Sequence, residues 1–119
     1  MYETVEFASF RLKDGFSVQD FLEASDKFSR DFISLRKGFV SRKLLRCGDM
    51  WSDFVVWETL TDAQSALNAM LFIWVTINDT SITARSMHGS ASASEYLSFI
   101  DEGSSEILHY TVERNYLGR

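Results

Sequence analysis

Two histidines are the side chains best suited to proton transfer at neutral pH. His88 lies beside Gly89 in a stretch rich in Ser, Thr and Ala, and His109 lies within segment 106–114, which alternates like a strand. Because imidazole titrates near neutral pH, either histidine could act as a general base or ligate a haem iron. An exposed loop histidine, or one hydrogen-bonded within a sheet, would give the same sequence pattern. Both residues are therefore candidate catalytic and ligand-binding positions.

Three further side chains are suited to binding a small molecule. Trp57 and Trp74 could stack on a planar ligand in an apolar pocket, although packing in a core or a dimer interface predicts the same residues. Arg42 could hold a carboxylate with its planar guanidinium, although a surface or intersubunit ion pair would also use it. Cys47 has only Arg46 beside it to favour the thiolate, so we expect an inert cysteine.

The sequence contains no recognisable cofactor site. No group of His, Cys and carboxylate residues stands at the spacing of metal ligands, and no phosphate-binding loop is present. The single cysteine cannot form an internal disulfide. We therefore expect no metal and no cofactor. Haem is the alternative, although an acidic chain with two histidines offers no dedicated haem site.

The charge balance argues against nucleic acids and membranes as partners. The 119 residues carry 12 basic and 17 acidic side chains, a net charge of −5, whereas phosphate backbones and anionic bilayers attract basic surfaces. No apolar run approaches the ~20 residues of a membrane span, and the first residues lack the regions of a signal peptide. We expect a soluble, cytoplasmic protein, and the length predicts one domain over residues 1–119.

A β-hairpin is predicted at the centre of the chain. Segments 39–47 and 51–58 have the composition of strands, and Gly48-Asp49 supplies the turn between them. The run 54–57 is apolar without alternation, and a strand that is apolar on both faces is expected to be buried on both. The first strand, over residues 3–12, also has apolar side chains on both faces.

Helix signals flank this hairpin. Ser17 is a natural N-cap for a first helix, with Asp20 three residues later, and we expect that helix to reach Leu35 and end before Gly38. Residues 61–64 form a second capping box, and an apolar stripe at helical spacing follows it.

The C-terminal third is less regular. Segment 78–94 has no clear pattern, and Ser92 is expected to cap a short third helix. Asp101-Glu102-Gly103 is expected to end that helix, and segment 106–114 predicts the last strand. The order β-α-β-β-α-(α)-β indicates an α+β, ferredoxin-like fold: an antiparallel four-stranded sheet with helices on one face. The uncovered apolar face then needs a partner, and we expect a homodimer through that sheet face.

Three stretches of the chain resemble a known superfamily. They are GFVSR (38–42), FVVWE (54–58) running into DAQSA (62–66), and FID (99–101) followed by SEILHY (105–110). On these motifs the chain resembles the dimeric α+β barrel proteins, which include the antibiotic-biosynthesis-type monooxygenases. The likeness covers most of the chain except about 76–94. The chain departs from the common pattern in two ways: it has Lys37 where a proline often precedes the glycine, and its segment between the second helix and the last strand is long.

The resemblance implies a dimer with a cavity between sheet and helices, and the superfamily includes cofactor-free oxygenases, haem-degrading enzymes, decarboxylases and isomerases. We expect a protein that binds or oxidises a small, mostly apolar or aromatic molecule in that cavity. Two alternatives stay open: a non-catalytic dimeric module, and a haem-binding or haem-degrading protein. Converging polar groups in an open pocket would favour the enzyme, whereas a cavity filled by Phe and Trp side chains would favour the module.

Overall fold

The computed structural model describes the backbone of residues 2–78 and 90–118, and the side chains of residues 2–75 and 91–118. The strands in this part of the chain are β1 (Thr4–Leu12), β2 (Phe39–Cys47), β3 (Met50–Trp57) and β4 (Ile100–Thr111). The helices are α1 (Val18–Asp31), α2 (Leu60–Asn78) and α3 (Ser90–Ser98), with a short 3-10 helix at Ile33–Leu35. The strands form an antiparallel sheet in the order β2-β3-β1-β4. The predicted ferredoxin-like fold is confirmed.

The helices cover one face of the sheet, as burial along the strands shows. On β3, alternate side chains are buried and the ones between them, such as Phe54, are half-buried. The strand register carries this alternation across the sheet, because directly paired residues point to the same side. We call the covered side the inner face; its residues include Thr4, Glu6, Ala8, Phe10, Trp51, Asp53, Val55, Trp57, Ile107 and His109. We call the other side the outer face; its residues include Val5, Phe7, Phe54, Val56, Leu108 and Tyr110.

In the single chain β3 is buried on its inner face only, so the predicted burial on both faces would require a partner molecule. Val56 and Phe54 lie on the outer face, where no helix of the described chain packs, and they keep part of their surface exposed. The apolar run 54–57 thus has side chains in two environments, because alternate residues lie in the core under the helices and on the apolar outer face.

The first helix begins where the sequence predicted and ends one turn earlier. The backbone N–H of Asp20 donates a hydrogen bond to Ser17 Oγ at 3.2 Å, which confirms Ser17 as the N-cap. The α-helix stops at Asp31, and the chain tightens into the 3-10 helix instead of continuing to Leu35. Gly38 then adopts a left-handed backbone with φ of +80°, as expected of a residue that terminates a helix.

The cap of α2 lies two residues earlier than predicted. Thr59 Oγ1 accepts the backbone N–H of Asp62 at 3.0 Å, so Thr59 is the N-cap, and Thr61 lies inside the helix. Both threonines precede a residue that could complete a capping box. The helix start is fixed by the end of β3, because the Glu58 N–H already donates to Gly38 O at 2.8 Å.

The last strand begins earlier than predicted, at Ile100 rather than near Glu106. Asp101-Glu102-Gly103 was expected to end a helix, but it lies within β4 at an irregularity in the pairing with β1. The Gly103 N–H donates to Asp101 Oδ1 at 3.2 Å, which stabilises this bulge locally. Ser92, the predicted cap of α3, lies inside that helix. The residues that the sequence pattern predicted to end a helix therefore form a bulge within β4.

An aromatic cluster joins α1 and α3 to the sheet. Tyr96 of α3 is sandwiched between two rings of α1, Phe28 at 4.4 Å and Phe21 at 5.2 Å between ring centroids. Phe10 from β1 meets both Phe21 and Tyr96 edge-on. All four rings are almost completely buried. This packing fixes the position of the Tyr96 hydroxyl above the inner face.

Candidate functional site

A cavity of about 60 Å³ lies between the inner face and the helices. The strands contribute its floor, which includes Glu6, Ala8, Phe10, Asp53, Val55 and Ile107. The helices contribute its roof, which includes Leu67, Met70, Leu71 and Trp74 of α2 and Tyr96 of α3. The lining is mainly apolar, with a few polar groups at separate points of the wall, which is the usual composition of a small-molecule site.

The first polar group is a buried network centred on Asp53. Its Oδ1 accepts Arg42 Nε–H at 2.8 Å, and its Oδ2 accepts the Tyr96 hydroxyl at 2.7 Å. Arg42 Nη2 also donates to the Tyr96 oxygen at 3.0 Å, which closes a triangle of three side chains. Burial, reinforced by the charge of Asp53, raises the pKa of Tyr96 well above its ordinary value. Tyr96 is therefore a neutral phenol at physiological pH.

Arg42 is fully occupied by this network. Its Nη1 donates to Ser29 Oγ at 2.6 Å and to the Ser25 carbonyl at 3.3 Å, so each of its three nitrogens has a partner. Burial is the largest single influence and lowers the pKa of Arg42, but the charge interactions and hydrogen bonds with Asp53 and Tyr96 together outweigh it, so that pKa lies above the ordinary value. The side chain is only 5% exposed. The ion pair of Arg42 is therefore a buried one within the chain, with Asp53, and not the surface pair that the sequence suggested.

The second polar group is a pair formed by Glu6 and His109. The two residues face each other across β1 and β4, and His109 Nε2 lies 3.0 Å from Glu6 Oε1. Both side chains are mostly buried, with 12% of Glu6 and 17% of His109 exposed. Burial raises the pKa of Glu6, the hydrogen bond and charge of His109 oppose that rise, and the charge of Asp53 adds to it. The Glu6 carboxyl is a wall residue of the cavity.

The structure places the sequence-predicted residues in different environments. Trp74 lies in the cavity wall and His109 lies behind Glu6. Trp57 is completely buried, packs edge-on against Phe39, and is a core residue. His88 lies outside the described residues. Cys47 is exposed beside the hairpin turn.

Sequence reasoning missed the residues that define the site: Glu6, Asp53 and Tyr96. A signal for two of them was present. Alternation along β3 puts Asp53 on the same face as Trp51, Val55 and Trp57, so a charged side chain lies among core residues. Glu6 has the same parity along β1 as Phe10. A charged residue in register with core positions requires a partner, and this rule would have selected both carboxylates.

Two negative findings apply to the described residues. Among residues 2–78 and 90–118, no group of three or more His, Cys, Asp and Glu side chains is arranged to hold a metal ion. No helix in these ranges combines the length and the apolar character that crossing a bilayer requires.

Comparison with solved structures identifies the fold. A cofactor-independent oxygenase from Streptomyces nogalater, SnoaB, superposes in a variant form with a TM-score of 0.63 over 95% of both chains at 16% identity. A candidate antibiotic biosynthesis monooxygenase from Chloroflexus aurantiacus follows with a TM-score of 0.61, 96% coverage of both chains and 11% identity.

The chain has the fold of the antibiotic-biosynthesis-type monooxygenases. This confirms the fold that the resemblance in the sequence motifs implied. A protein of unknown function from Nitrosomonas europaea shares the same fold, with a TM-score of 0.59, 14% identity and coverage of 100% of this chain and 97% of that one. No family model and no curated protein matches the sequence.

Proposed function

We propose that the chain binds a small, mostly apolar, aromatic molecule in the cavity between sheet and helices, and oxidises it with dioxygen without a bound cofactor. The observation that carries the proposal is the cavity wall, in which apolar side chains surround a few buried polar groups. SnoaB, which shares the fold, is a cofactor-independent oxygenase. The walls of the cavity suit an aromatic ring, since Trp74 and Met70 face it from α2.

The cavity must widen to accept such a ligand. Its volume is about 60 Å³, against roughly 300–1,000 Å³ for sites that enclose a drug-sized molecule. Three of its wall residues, Met70, Leu71 and Trp74, belong to the C-terminal half of α2. We propose that this half of α2 moves away from the sheet when a ring enters.

Tryptophan fluorescence tests ligand binding directly. A two-ring aromatic ketone such as 2-tetralone should quench the emission of the wild-type protein saturably, and Trp74→Phe should remove much of that quenching. Trp57→Phe is the matched control, because Trp57 is a core residue outside the cavity wall and its loss should leave the ligand-dependent change in place. If a broad set of aromatic ligands gives neither saturable quenching nor a thermal shift, the proposed function is wrong.

The second candidate is a non-catalytic dimeric module. The small volume of the cavity favours it, because side chains already fill most of the space between sheet and helices. The haem alternative draws no support from His109, whose Nε2 is engaged by Glu6. A haem bound through His109 would give a Soret band that His109→Ala abolishes.

We also propose that the outer face is covered by a second copy of the chain, in a cytoplasmic homodimer. The outer face carries Phe7 and Phe54 in edge-to-face contact at 6.5 Å, flanked by Leu108 and Tyr110, which are 44% and 52% exposed. An apolar face of this kind, repeated on an identical chain, is self-complementary. Such a dimer would bury at least ~1,200 Å² in total.

A further inference from the structure

The two carboxylates of the cavity wall differ in how they are held. Both oxygens of Asp53 are engaged, one by Arg42 and one by Tyr96. The hydrogen bond between Glu6 and His109 uses Oε1 of the carboxylate, and no side chain of the described residues is bonded to Oε2, which leaves that oxygen for a ligand. Asp53 is therefore built into the core, whereas Glu6 retains an oxygen that can exchange a proton with a molecule in the cavity.

The surroundings of Glu6 favour proton transfer. The charged and titratable described groups that face it are His109 from β4 and Asp53 from β3, and Arg42 pairs with Asp53. The α2 helix presents apolar side chains to the same space. Because burial raises the pKa of Glu6, its carboxylate binds a proton more strongly than an exposed glutamate does.

We propose that Glu6 is the catalytic base of this cavity and that His109 is its positioning residue. The inference rests on the proposed function and adds to it the group that moves the proton. His109 fixes the direction of the Glu6 carboxylate through one hydrogen bond. Its charge also favours the ionised form of Glu6, which is the form that can accept a proton. Arg42 takes no part in substrate binding, since each of its nitrogens already has a partner.

The proposed step balances with dioxygen as the oxidant. Glu6 removes one proton from an activated CH2 group of the substrate, and the electron pair of the C–H bond stays on carbon. The carbanion bonds to dioxygen, and the resulting peroxide anion takes back the proton held by Glu6. The hydroperoxide then loses water and leaves a carbonyl group. The net change is CH2 + O2 → C=O + H2O, in which carbon is oxidised, dioxygen is reduced and Glu6 is regenerated.

Proton abstraction can be measured separately from oxidation. In 2-tetralone, one CH2 group lies between an aromatic ring and a ketone, so its protons are acidic enough to exchange. Under argon in D2O, the wild-type protein should replace these protons with deuterium faster than buffer does, as followed by proton NMR. Glu6→Gln should lower the protein-catalysed exchange rate ~100-fold or more, as expected for loss of a general base, and it should leave the quenching of Trp74 by 2-tetralone within about threefold.

Three further variants sharpen the assignment. Glu6→Asp should recover part of the exchange rate, because it keeps a carboxylate on the same strand position. His109→Gln should lower the rate less than Glu6→Gln does and shift the pH at which exchange becomes half-maximal, which a purely structural role would not do. Glu23→Gln, at an exposed carboxylate of α1, is the matched control and should leave the rate unchanged.

The outcomes separate this inference from the proposed function. If 2-tetralone quenches Trp74 saturably but the wild-type protein does not accelerate exchange, or if Glu6→Gln exchanges as fast as wild type, Glu6 is not the base although the cavity binds ligands. If 2-tetralone and the broader set of aromatic ligands neither quench nor stabilise the protein, the cavity does not bind such molecules and both claims are overturned. Exchange that survives in Glu6→Gln but disappears in His109→Gln would assign the base to His109 instead.

Discussion

The two faces of the sheet differ in which side chains they bury and which they expose. On the inner face, charged side chains are taken out of water and must find partners: Arg42, Asp53 and Tyr96 bond to one another, and Glu6 bonds to His109. On the outer face, apolar side chains such as Phe54 remain half-exposed because no helix of the described chain covers them. The inner face buries a few charged side chains among apolar core residues, whereas the outer face leaves apolar side chains half-exposed.

This difference shows where each face gets its stability. Buried charges cost several kcal/mol each unless they are paired, so the inner network stabilises the fold only as a complete set. The outer face gains about 25 cal/mol for each Å² of apolar surface removed from water, and a single chain leaves that gain unrealised. The inner face is therefore sensitive to loss of one partner, whereas the outer face is sensitive to loss of a neighbouring molecule.

The largest effect is expected from breaking the inner network. Asp53→Ala leaves Arg42, which is 5% exposed, without its counter-charge, and should lower the free energy of unfolding by about 3–5 kcal/mol in urea titrations. The control is Asp49→Ala, which removes the partner of Arg11 in a pair that is 82% exposed at Asp49; its effect should stay within ~1 kcal/mol. Equal effects of the two substitutions would show that the inner pair is not a structural requirement.

The next effect is expected on the outer face. Phe54→Glu places a charge at the centre of the apolar surface beside Phe7 and should weaken the proposed dimer by at least ~2 kcal/mol, about thirtyfold in dissociation constant. Analytical ultracentrifugation at micromolar concentration should find wild-type dimers and mostly monomeric variant. Gln64→Glu, at an exposed position of α2, adds the same charge elsewhere and should leave the dimer intact. A well-folded wild-type monomer at these concentrations would refute the dimer.

A smaller loss of stability is expected at Gly38, which lies just before β2 and packs against the start of α2. Gly38 has φ of +80°, and a Cβ there would overlap the Asp62 side chain. Gly38→Ala should cost about 1–3 kcal/mol, because backbone strain and a steric clash add. Gly15 also has positive φ but open space around it, so Gly15→Ala should cost only the backbone share, about 1 kcal/mol. Thermal unfolding that ranks the two the other way would contradict this account.

The smallest effect concerns the pH dependence of stability. The pKa of Glu6 in the folded protein is raised above its ordinary value of 4.5, so the unfolded chain loses this proton first as pH rises. Stability contributed by Glu6 is fully present below pH 4.5 and is lost as pH rises through the folded-state pKa. The free energy of unfolding of wild type, measured relative to Glu6→Gln, should therefore fall as pH rises from 4.5 through the folded-state pKa of Glu6. Above that pKa the difference should stay constant. A difference independent of pH would mean that Glu6 has no raised pKa.

Local patterns predicted most of the elements, and the errors occurred where two elements compete for the same residues. Ser17 was correctly identified as a cap because its hydrogen bond spans three residues and needs nothing distant. The cap of α2 was predicted at Thr61, but Thr59 also satisfies the local rule, and the pairing of Glu58 with Gly38 decides for Thr59. Gly103 was read as a helix end, although pairing of β4 with β1 makes it part of a bulge.

The candidate site was predicted less well, because its chemistry depends on contacts between distant residues. Arg42 and His109 were singled out by residue type alone, and the partners that define them, Asp53 and Glu6, are 11 and 103 residues away along the chain. Tyr96 is 54 residues from Arg42 and reaches it only after α3 packs on α1. Residue type showed which groups can carry charge, but not which ones meet.

The sequence by itself determined the order of helices and strands, the hairpin turn at Gly48, and the apolar character of both sides of the sheet, because periodicity and turn chemistry act over a few residues. Tertiary structure alone decided which side the helices cover, which charges are buried, and which of those charges are saturated by partners. The physical reason is that burial is a property of the assembled layers: the same carboxylate is inexpensive in water and costly under a helix unless another strand supplies its partner.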